Sequence, residues 1–259
     1  GIWISGGTVS NLTVQGGVRL LRTDLVGNIE NQDTLIVDSH IFVGSDHLTD
    51  SVTTLSGGGL VELGDSEIFG LGADIRFTTP FNDPRELVNE DNTIRGAGSI
   101  IPGSNGRLTN RGVIEAAFNN FPQTARIIFE QGGNDARYTN SGIIRAAEGH
   151  EIEFQAGTWT NHEAGTPGVI EAAPGATITV NGTHIDGGIL RSLADVEPPL
   201  GGVTEPDGVF QFFEGTAQKL TNVRIEGAVG TDNSDIGLGG VIDNTGSLEA
   251  DRVRIVDDT

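Results

Sequence analysis

The sequence predicts an all-β fold of the parallel β-solenoid class, in which short strands wind into coils that stack along one axis. Three observations predict it: brief runs of alternating apolar and polar residues, a strand–turn motif that recurs along the chain, and the abundance of glycine. Glycine accounts for 39 of the 259 residues. It is costly inside helices, but it suits a chain that turns every few residues.

Alternation of apolar and polar residues marks the individual strands. It is clear in Glu151–Phe154, Thr177–Val180 and Val223–Glu226, and Gly, Asn or Asp residues lie close to these runs. A period of two places successive side chains on opposite faces of a strand, one toward a core and one toward solvent. The segment from Pro84 to Glu90 has residue types that suit one helical turn but no sustained 3.6-residue stripe, so no helix is predicted there.

A repeated motif, Asn-x-Gly-x-Ile/Leu-x-Ala, indicates how the strands are organised. Its glycines in three consecutive copies are 30 and 26 residues apart (142 − 112 and 168 − 142). Such a period holds about three short strands, and one coil of this size buries its apolar face only when another coil stacks on it. At ~25 residues per coil the chain would form roughly ten coils, right-handed by the crossover rule for parallel strands. The copies are Asn110–Ala116, Asn140–Ala146, a looser one from Asn161 to Ala172, and Asn244–Ala250.

Blocks near the start of the chain resemble blocks near its end, in the same order. The offset between matching residues rises from 181 to 211 and 213, which indicates about 30 extra residues (211 − 181) between Ile189 and Lys219. We therefore predict one solenoid domain over residues 1–259 with an irregular insertion at about 191–219. We also hypothesise that the chain comes from a tandem array or stacks end to end with further copies of itself. The matched blocks are Ile4–Gly7 with Ile185–Gly188, Ser10–Gly16 with Thr221–Gly227, and Gly27–Asn31 with Gly240–Asn244.

Composition excludes several classes of function. The 36 Asp and Glu residues against 15 Lys and Arg give a net charge of −21, which argues against a nucleic-acid partner. Without cysteine there is no disulfide, thiolate nucleophile or zinc–thiolate site. No apolar run approaches the ~20 residues of a membrane-spanning helix, so we expect no membrane insertion. The first residue is Gly and no signal peptide is visible, so we expect a processed product or a piece of a longer chain.

Equivalent motif positions carry charged and amide side chains that we interpret as scaffold. Glu115, Arg145 and Glu171 would lie about 5 Å apart on neighbouring coils and form a ladder of alternating sign on the solvent face. The alternative is a group of catalytic carboxylates like those of polysaccharide-cleaving β-helices. The asparagine that opens each copy predicts a second ladder at the turns, because asparagine tolerates left-handed backbone and stacked amides bond one another.

Clustered oxygen ligands make calcium the most defensible ligand hypothesis. Asp232 and Asp235 are the candidate ligands, and the acidic stretches Glu90–Asn92 and Asp46–Asp50 offer similar oxygens. None matches the twelve-residue calcium loop or the glycine-rich nonapeptide repeat, and a solvated acidic turn is the competing interpretation. The five histidines are scattered, so no metal-binding histidine pair is predicted.

Aromatic residues are the candidates for a contact surface. Phe210, Phe212 and Phe213 lie in the insertion that departs from the plain repeat, and an exposed patch there would contact a partner or a second subunit. The alternation of Phe210 with Phe212 favours burial in a strand instead. Trp159 also lies in a strand pattern, and we expect it to pack in the core or at a coil edge.

Several glycine-rich blocks resemble the β-solenoid repeats of large secreted bacterial surface proteins, the autotransporter and filamentous-haemagglutinin-like adhesins. These blocks are Leu55–Leu63, Asp91–Ile100 and Ile185–Leu190, together with the Asn-x-Gly-x-Ile-x-Ala strands. The resemblance implies an extracellular or cell-surface stalk, adhesin segment or filament subunit, with a cell-surface or glycan ligand. The family offers no catalytic residues to carry across, so we expect a non-enzymatic protein without a cofactor. The alternatives are a carbohydrate-active β-helix (polysaccharide lyase or tailspike-like glycosidase) and a glycan-binding passenger.

Overall fold

A computed structural model of the chain confirms the prediction of a parallel β-solenoid. The structure describes residues 2–44, 52–64, 72–77, 84–117, 124–133, 136–193, 208–212, 218–230, 235–239, 242–244, 247–249 and 252–255. Within these ranges the chain consists of strands and turns without helices. A helix long and apolar enough to span a membrane is accordingly absent from the described ranges.

The described residues form 31 strands, most of them four or five residues long. Their bounds are β1 Ile2–Ser5, β2 Thr8–Val14, β3 Val18–Leu21, β4 Thr23–Asn31, β5 Thr34–Val37, β6 His40–Val43, β7 Val52–Ser56, β8 Leu60–Leu63, β9 Asp74–Phe77, β10 Arg85–Asn89, β11 Thr93–Gly96, β12 Gly98–Ile101, β13 Gly106–Asn110, β14 Val113–Ala116, β15 Arg126–Phe129, β16 Arg137–Asn140, β17 Ile143–Ala146, β18 Glu151–Thr160, β19 His162–Glu163, β20 Thr166–Pro167, β21 Val169–Ala172, β22 Thr177–Asp186, β23 Ile189–Ser192, β24 Val209–Phe212, β25 Gln218–Thr221, β26 Arg224–Glu226, β27 Ala228–Gly230, β28 Asp235–Gly239, β29 Asp243–Asn244, β30 Ser247–Glu249 and β31 Arg252–Ile255.

The strands form three faces around one core. Face A is an 11-stranded parallel sheet, and faces B and C belong to a 16-stranded sheet. Strands β2, β4, β18 and β22 run along face B, bend, and continue along face C. The bends coincide with residues of positive φ, namely Asn11 (48°), Gly27 (73°), Gly157 (98°) and Gly182 (63°). Glycine adopts this backbone freely and asparagine tolerates it, so these residues let one strand serve two faces.

Each coil begins with a strand of face A, so the described structure has eleven coils, close to the ten expected. Face A contains, in order, β1, β3, β5, β8, β11, β14, β17, β21, β23, β26 and β29. Face B contains the first halves of the four long strands with β6, β9, β12, β15 and β24, and face C contains their second halves with β7, β10, β13, β16, β25, β28 and β31. A short hairpin, β19–β20, protrudes between coils 7 and 8.

The core is built from rows of identical or similar side chains stacked in register. On face A, Ile94, Ile114, Ile144 and Ile170 are direct partners in successive coils, and all four are fully buried. This register keeps every apolar residue of the alternating pattern inside, because a slip by one residue would turn each strand inside out.

Four aromatic side chains fill the core in the middle of the rod. The rings of Tyr138 and Trp159 stack with their centroids 4.4 Å apart, and those of Phe129 and Phe154 stack at 5.1 Å. The expected core position of Trp159 is confirmed. The Tyr138 hydroxyl donates to the Glu130 carbonyl, and burial raises the pKa of this phenol.

Part of the predicted insertion at about 191–219 forms regular strands. Strand β24 and the start of β25 fall inside that range and pair regularly with β22. The Gly208 amide donates to the Leu193 carbonyl at 3.1 Å, so these two residues are neighbours in space. Residues 194–207 lie outside the described ranges. The strand Val209–Phe212 agrees with the alternation of Phe210 and Phe212 noted in the sequence.

The long-range resemblance between the two ends of the chain does not correspond to equivalent structural positions. The block 4–7 begins at the end of a face A strand, but its match 185–188 begins at the end of a face C strand. Residues 12–14 lie on face C, but their matches 223–225 lie at the start of a face A strand. The matched blocks therefore share a strand–turn pattern on different faces. The resemblance therefore does not come from two copies of one structural unit. It no longer supports the hypothesis of a tandem array.

Candidate functional site

A buried ladder of asparagine amides runs along the corner between faces C and A. Asn89 Nδ2 donates to Asn110 Oδ1, Asn110 Nδ2 to Asn140 Oδ1, and Asn140 Nδ2 to Asn161 Oδ1, each at 2.8 Å. All four residues are wholly buried. The predicted amide ladder is confirmed, and Asn161 Nδ2 continues it to the Gly168 carbonyl at 3.2 Å.

The backbone at these asparagines differs from the expectation. Asn110, Asn140 and Asn161 are not left-handed; among the described asparagines, positive φ occurs at Asn11 and Asn222. The ladder residues end or follow face C strands with ordinary backbone because the corner does not need a reversed turn there. Their side chains point inward and complete the hydrogen bonding of the corner.

The glycine of the motif allows neighbouring coils to approach closely at the same corner. A Cβ on Gly142 would lie 2.1 Å from the Gly112 carbonyl oxygen, and one on Gly168 would lie 2.2 Å from the Asn140 carbonyl oxygen. Neither glycine has positive φ. Glycine is therefore needed here because a side chain would not fit between the coils, and not because of its backbone conformation. This explains why a glycine follows the inward asparagine of the motif two positions later.

A ladder of alternating charge runs along the outer surface of face A, as predicted. Arg145 lies between Glu115 and Glu171 in register, with Nη1 3.5 Å from one carboxylate and Nε 3.2 Å from the other. The ladder continues beyond the predicted residues, since Arg191 lies 3.0 Å from Glu171 and 2.7 Å from Glu226. The acids of this row are thus ion-paired, and hydrogen bonds to Glu226 and Glu171 raise the pKa of Arg191.

Sequence analysis missed the ends of both ladders. Asn89 and Asn92 extend the amide ladder, and Glu62 and Arg95 extend the charged row in register with Glu115. The charged residue is the third residue of each of these face A strands. Aligning Leu60-Val61-Glu62 with the later strands would have found Glu62, even though no motif asparagine precedes it.

The first described coil, formed by β1 and β2, carries exposed apolar side chains. Among the described residues, β1 pairs with β3 alone and β2 with β4 alone. Ile2 lies in register with the buried Val18 of the inward row, yet it is 64% exposed, and its neighbour Trp3 is 61% exposed. Arg19 lies over the Trp3 ring at 5.2 Å. We call Ile2–Ser5 and Thr8–Val14 the β1 edge.

A polar clasp joins four successive corners on the outside of the rod. Arg111 lies 2.5 Å from Glu90 and 2.7 Å from Glu163, which belongs to the β19–β20 hairpin. Ser141 Oγ also donates to Glu163. The hydrogen bond from Arg111 lowers the pKa of Glu163, and the same bond raises the pKa of Arg111. The hairpin therefore connects corners that are 52 residues apart in sequence.

The phenylalanine candidates for a contact surface are corrected by the structure. Phe210 is fully buried and Phe212 is 3% exposed, because strand β24 turns both rings toward the core. The two residues therefore cannot form an exposed patch, and the alternation that favoured burial is confirmed. Phe213 lies outside the described residues.

The calcium candidates are only partly described. Asp232 and residues 46–50 lie outside the described ranges, and Asp235 begins strand β28 in register with Arg252. At Glu90–Asn92 the acids already have protein partners: Glu90 pairs with Arg111, and Asp91 Oδ1 accepts from the Gly58 amide at 3.0 Å. Groups of three or more His, Cys, Asp or Glu residues suited to a metal do not occur among the described residues. Calcium binding stays a prediction.

No protein-family model, curated protein or solved structure matches the chain.

Proposed function

We propose that the protein is a non-enzymatic extracellular structural module, a stalk, adhesin segment or filament subunit whose coils carry load along the rod. The observation that carries the proposal is the uninterrupted axial order of the described coils. Backbone ladders, the buried amides and the charged row of face A all run in this direction. Each coil contacts chiefly its two neighbours, so stability accumulates coil by coil, as in other solenoids.

The β1 edge is the proposed junction with a further coil. It combines unpaired strand groups with the exposed Ile2 and Trp3. Unpaired edges of this kind pair readily with other strands unless charge or proline protects them. A second copy stacked on the edge would bury Ile2 in the same row that covers Val18, Leu35 and Val61 in later coils.

End-to-end association is tested by small-angle scattering and sedimentation over a range of concentrations. We expect an elongated particle whose length increases with concentration. Ile2→Lys should abolish the increase, since a lysine at the edge opposes strand addition. Val52→Lys is the matched control, because Val52 is also exposed, at 40%, but lies on β7 in the third coil. A compact particle, or a length that never changes with concentration, would contradict the proposal.

The non-enzymatic part of the proposal has its own test. Incubation with acidic polysaccharides such as polygalacturonate should release no reducing sugar and no unsaturated product. We expect this because Glu115 and Glu171 share the guanidinium of Arg145, whereas glycoside hydrolysis needs two carboxyl groups that face a substrate. Turnover that increases with protein concentration would favour the carbohydrate-active alternative.

A further inference from the structure

A row of basic residues crosses the outer surface of face C. Arg107 and Arg137 are direct partners on β13 and β16, and Thr158, His184 and Lys219 follow in register on the next three coils. Lys219 is the one lysine in the sequence, which has 15 basic against 36 acidic residues. The basic residues of this acidic chain are thus partly grouped on one face.

The two arginines of this row differ from three other arginines that each bridge two acids. Arg111, Arg145 and Arg191 each lie within 4 Å of two carboxylates. Arg107 and Arg137 are both exposed, and neither forms an ion pair with another residue of the described ranges. Glu86 on β10 is the direct partner of Arg107 on its other side, and its carboxylate accepts from Thr109. Like charges directly opposite each other on neighbouring strands are destabilising. An anion from outside the chain would remove this repulsion.

The surroundings of the row suit an extended ligand. Thr139 and Thr160 lie in register two residues along the same strands. The neighbouring positions of that row are Thr109, which is buried and donates its hydroxyl to Glu86 at 2.9 Å, and Asp186. Between Arg137 and His184 the row contains the short Thr158 next to Gly157, where an added Cβ would meet only the edge of Tyr138 at 3.6 Å. Arg137 lies on one side of Thr158 along the row and His184 on the other. His184 Nε2 is held by the Thr221 hydroxyl at 2.8 Å.

We propose that face C binds a linear anionic polysaccharide along the rod axis, through Arg107, Arg137, His184 and Lys219. The proposal deepens the proposed function by giving the stalk a ligand class. Successive strands place the basic groups ~4.8 Å apart, or twice that across Thr158. This is sparse for duplex DNA, which carries one charge per ~1.7 Å, but it suits a polymer with about one carboxylate or sulfate per sugar. Threonine hydroxyls would bond the sugar hydroxyls.

Binding of immobilised polysaccharides at low salt tests the proposal. The probes are polygalacturonate (carboxylated) and dextran sulfate (sulfated), with neutral dextran and duplex DNA for comparison. We expect the chain to bind at least one anionic polysaccharide, to ignore neutral dextran, and to lose affinity as salt rises. Arg107→Gln/Arg137→Gln should weaken binding by about tenfold or more, since both charge-assisted contacts are lost.

The control is Arg22→Gln/Arg76→Gln, which changes the net charge equally but lies away from face C. Its binding should stay within about twofold of the parent chain, and thermal melts of both variants show that they remain folded. Failure of both anionic probes, equal loss in the control, or tighter binding to duplex DNA would overturn the proposal. Scattering measurements of rod length are independent of this result, so a failure here leaves the stalk proposal to its own test.

Discussion

Asn110 donates its side-chain amide to the side-chain oxygen of Asn140 at 2.8 Å, and both residues are wholly inaccessible to solvent. This bond connects coils 5 and 6, and it repeats between Asn140 and Asn161 one coil later. A buried polar group contributes to stability only while its hydrogen bonds are made. The amide ladder is therefore the most sensitive polar element of the described core.

Removing the side chain of Asn140, in the middle of the ladder, should lower the free energy of unfolding more than removing an asparagine side chain from the outer surface. In Asn140→Ala the Asn161 Oδ1 loses a donor and the Asn110 Nδ2 keeps only its longer bonds to the carbonyls of Gly112 and Ile143, both 3.3 Å. We expect the free energy of unfolding to fall by about 2–3 kcal/mol, measured by urea denaturation. The matched control, Asn181→Ala on the outer surface of face B, should change it by less than about 0.5 kcal/mol. Equal effects would show that the ladder has no special role.

Close packing of the corner backbone gives a second prediction. Gly142→Ala should destabilise the fold by about 2–4 kcal/mol, because the new Cβ would lie 2.1 Å from the Gly112 carbonyl and the coils would have to separate. Gly149→Ala is the comparison: its φ is +73° but nothing lies within 4 Å of the added Cβ, so only the backbone cost of about 1–2 kcal/mol applies. A smaller effect at Gly142 than at Gly149 would contradict the role of close approach.

The sequence was sufficient to predict the architecture because a solenoid repeats one local rule. Apolar alternation defines each strand, and the Asn-x-Gly spacing defines one corner, so the stacked rows of Ile114 and Ile144 and the ladder of Asn110 and Asn140 could be read directly from the chain. The first coils were harder to predict, since Ser56-Gly57-Gly58-Gly59 forms the same corner without an asparagine.

Contacts that depend on loops could not be predicted from the sequence. The clasp between Arg111 and Glu163 spans 52 residues and exists only because five extra residues fold as the β19–β20 hairpin. The basic row of face C was also missed, since Arg107, Arg137 and Lys219 share no sequence motif. Only the strand register, which varying loop lengths obscure, places them side by side.

Protonation of His150 should destabilise the corner between faces A and B. His150 Nδ1 accepts a hydrogen bond from the Ala125 amide at 2.9 Å, which requires that nitrogen to be unprotonated. Burial lowers the pKa of His150 below 6.5, although Glu115 and Glu148 oppose the shift. Between that lowered value and about 6.5 the unfolded chain binds more protons, so stability should fall as pH decreases through this window and level off below it.

The test is the pH dependence of unfolding in His150→Asn, whose side-chain oxygen can still accept from Ala125. We expect a shallower slope as pH decreases below about 6.5, because the substitution removes this titrating group. The slope should not vanish, because burial and the nearby Arg76 and Arg22 also lower the pKa of His40. An unchanged slope in His150→Asn would contradict the assignment.

In the clasp on the outside of the rod, the charged form of the titrating group stabilises the fold, whereas the charged form of His150 destabilises it. The pKa of Glu163 is lowered by its bond to Arg111, so its contribution is present above the ordinary value of 4.5 and disappears as pH falls through the lowered value. Both side chains are about one third exposed, at 38% and 31%, so Glu163→Gln should cost only about 0.5–1 kcal/mol at pH 7. Thermal melts from pH 7 downward check this: the difference from the parent should be present at pH 7 and should shrink as pH falls below 4.5.

The charged row of face A should stabilise the rod in a manner that salt weakens. Arg145→Glu would place a third acid between Glu115 and Glu171, where the parent guanidinium lies within 3.5 Å of both carboxylates. We expect a loss of about 1–3 kcal/mol in low salt, since two attractions become repulsions between neighbouring strands. At 1 M salt the screening length falls to about 3 Å, so most of this loss should be recovered. Arg22→Glu changes the net charge equally outside the row; if it showed the same loss and the same recovery, general repulsion in an acidic chain would account for both.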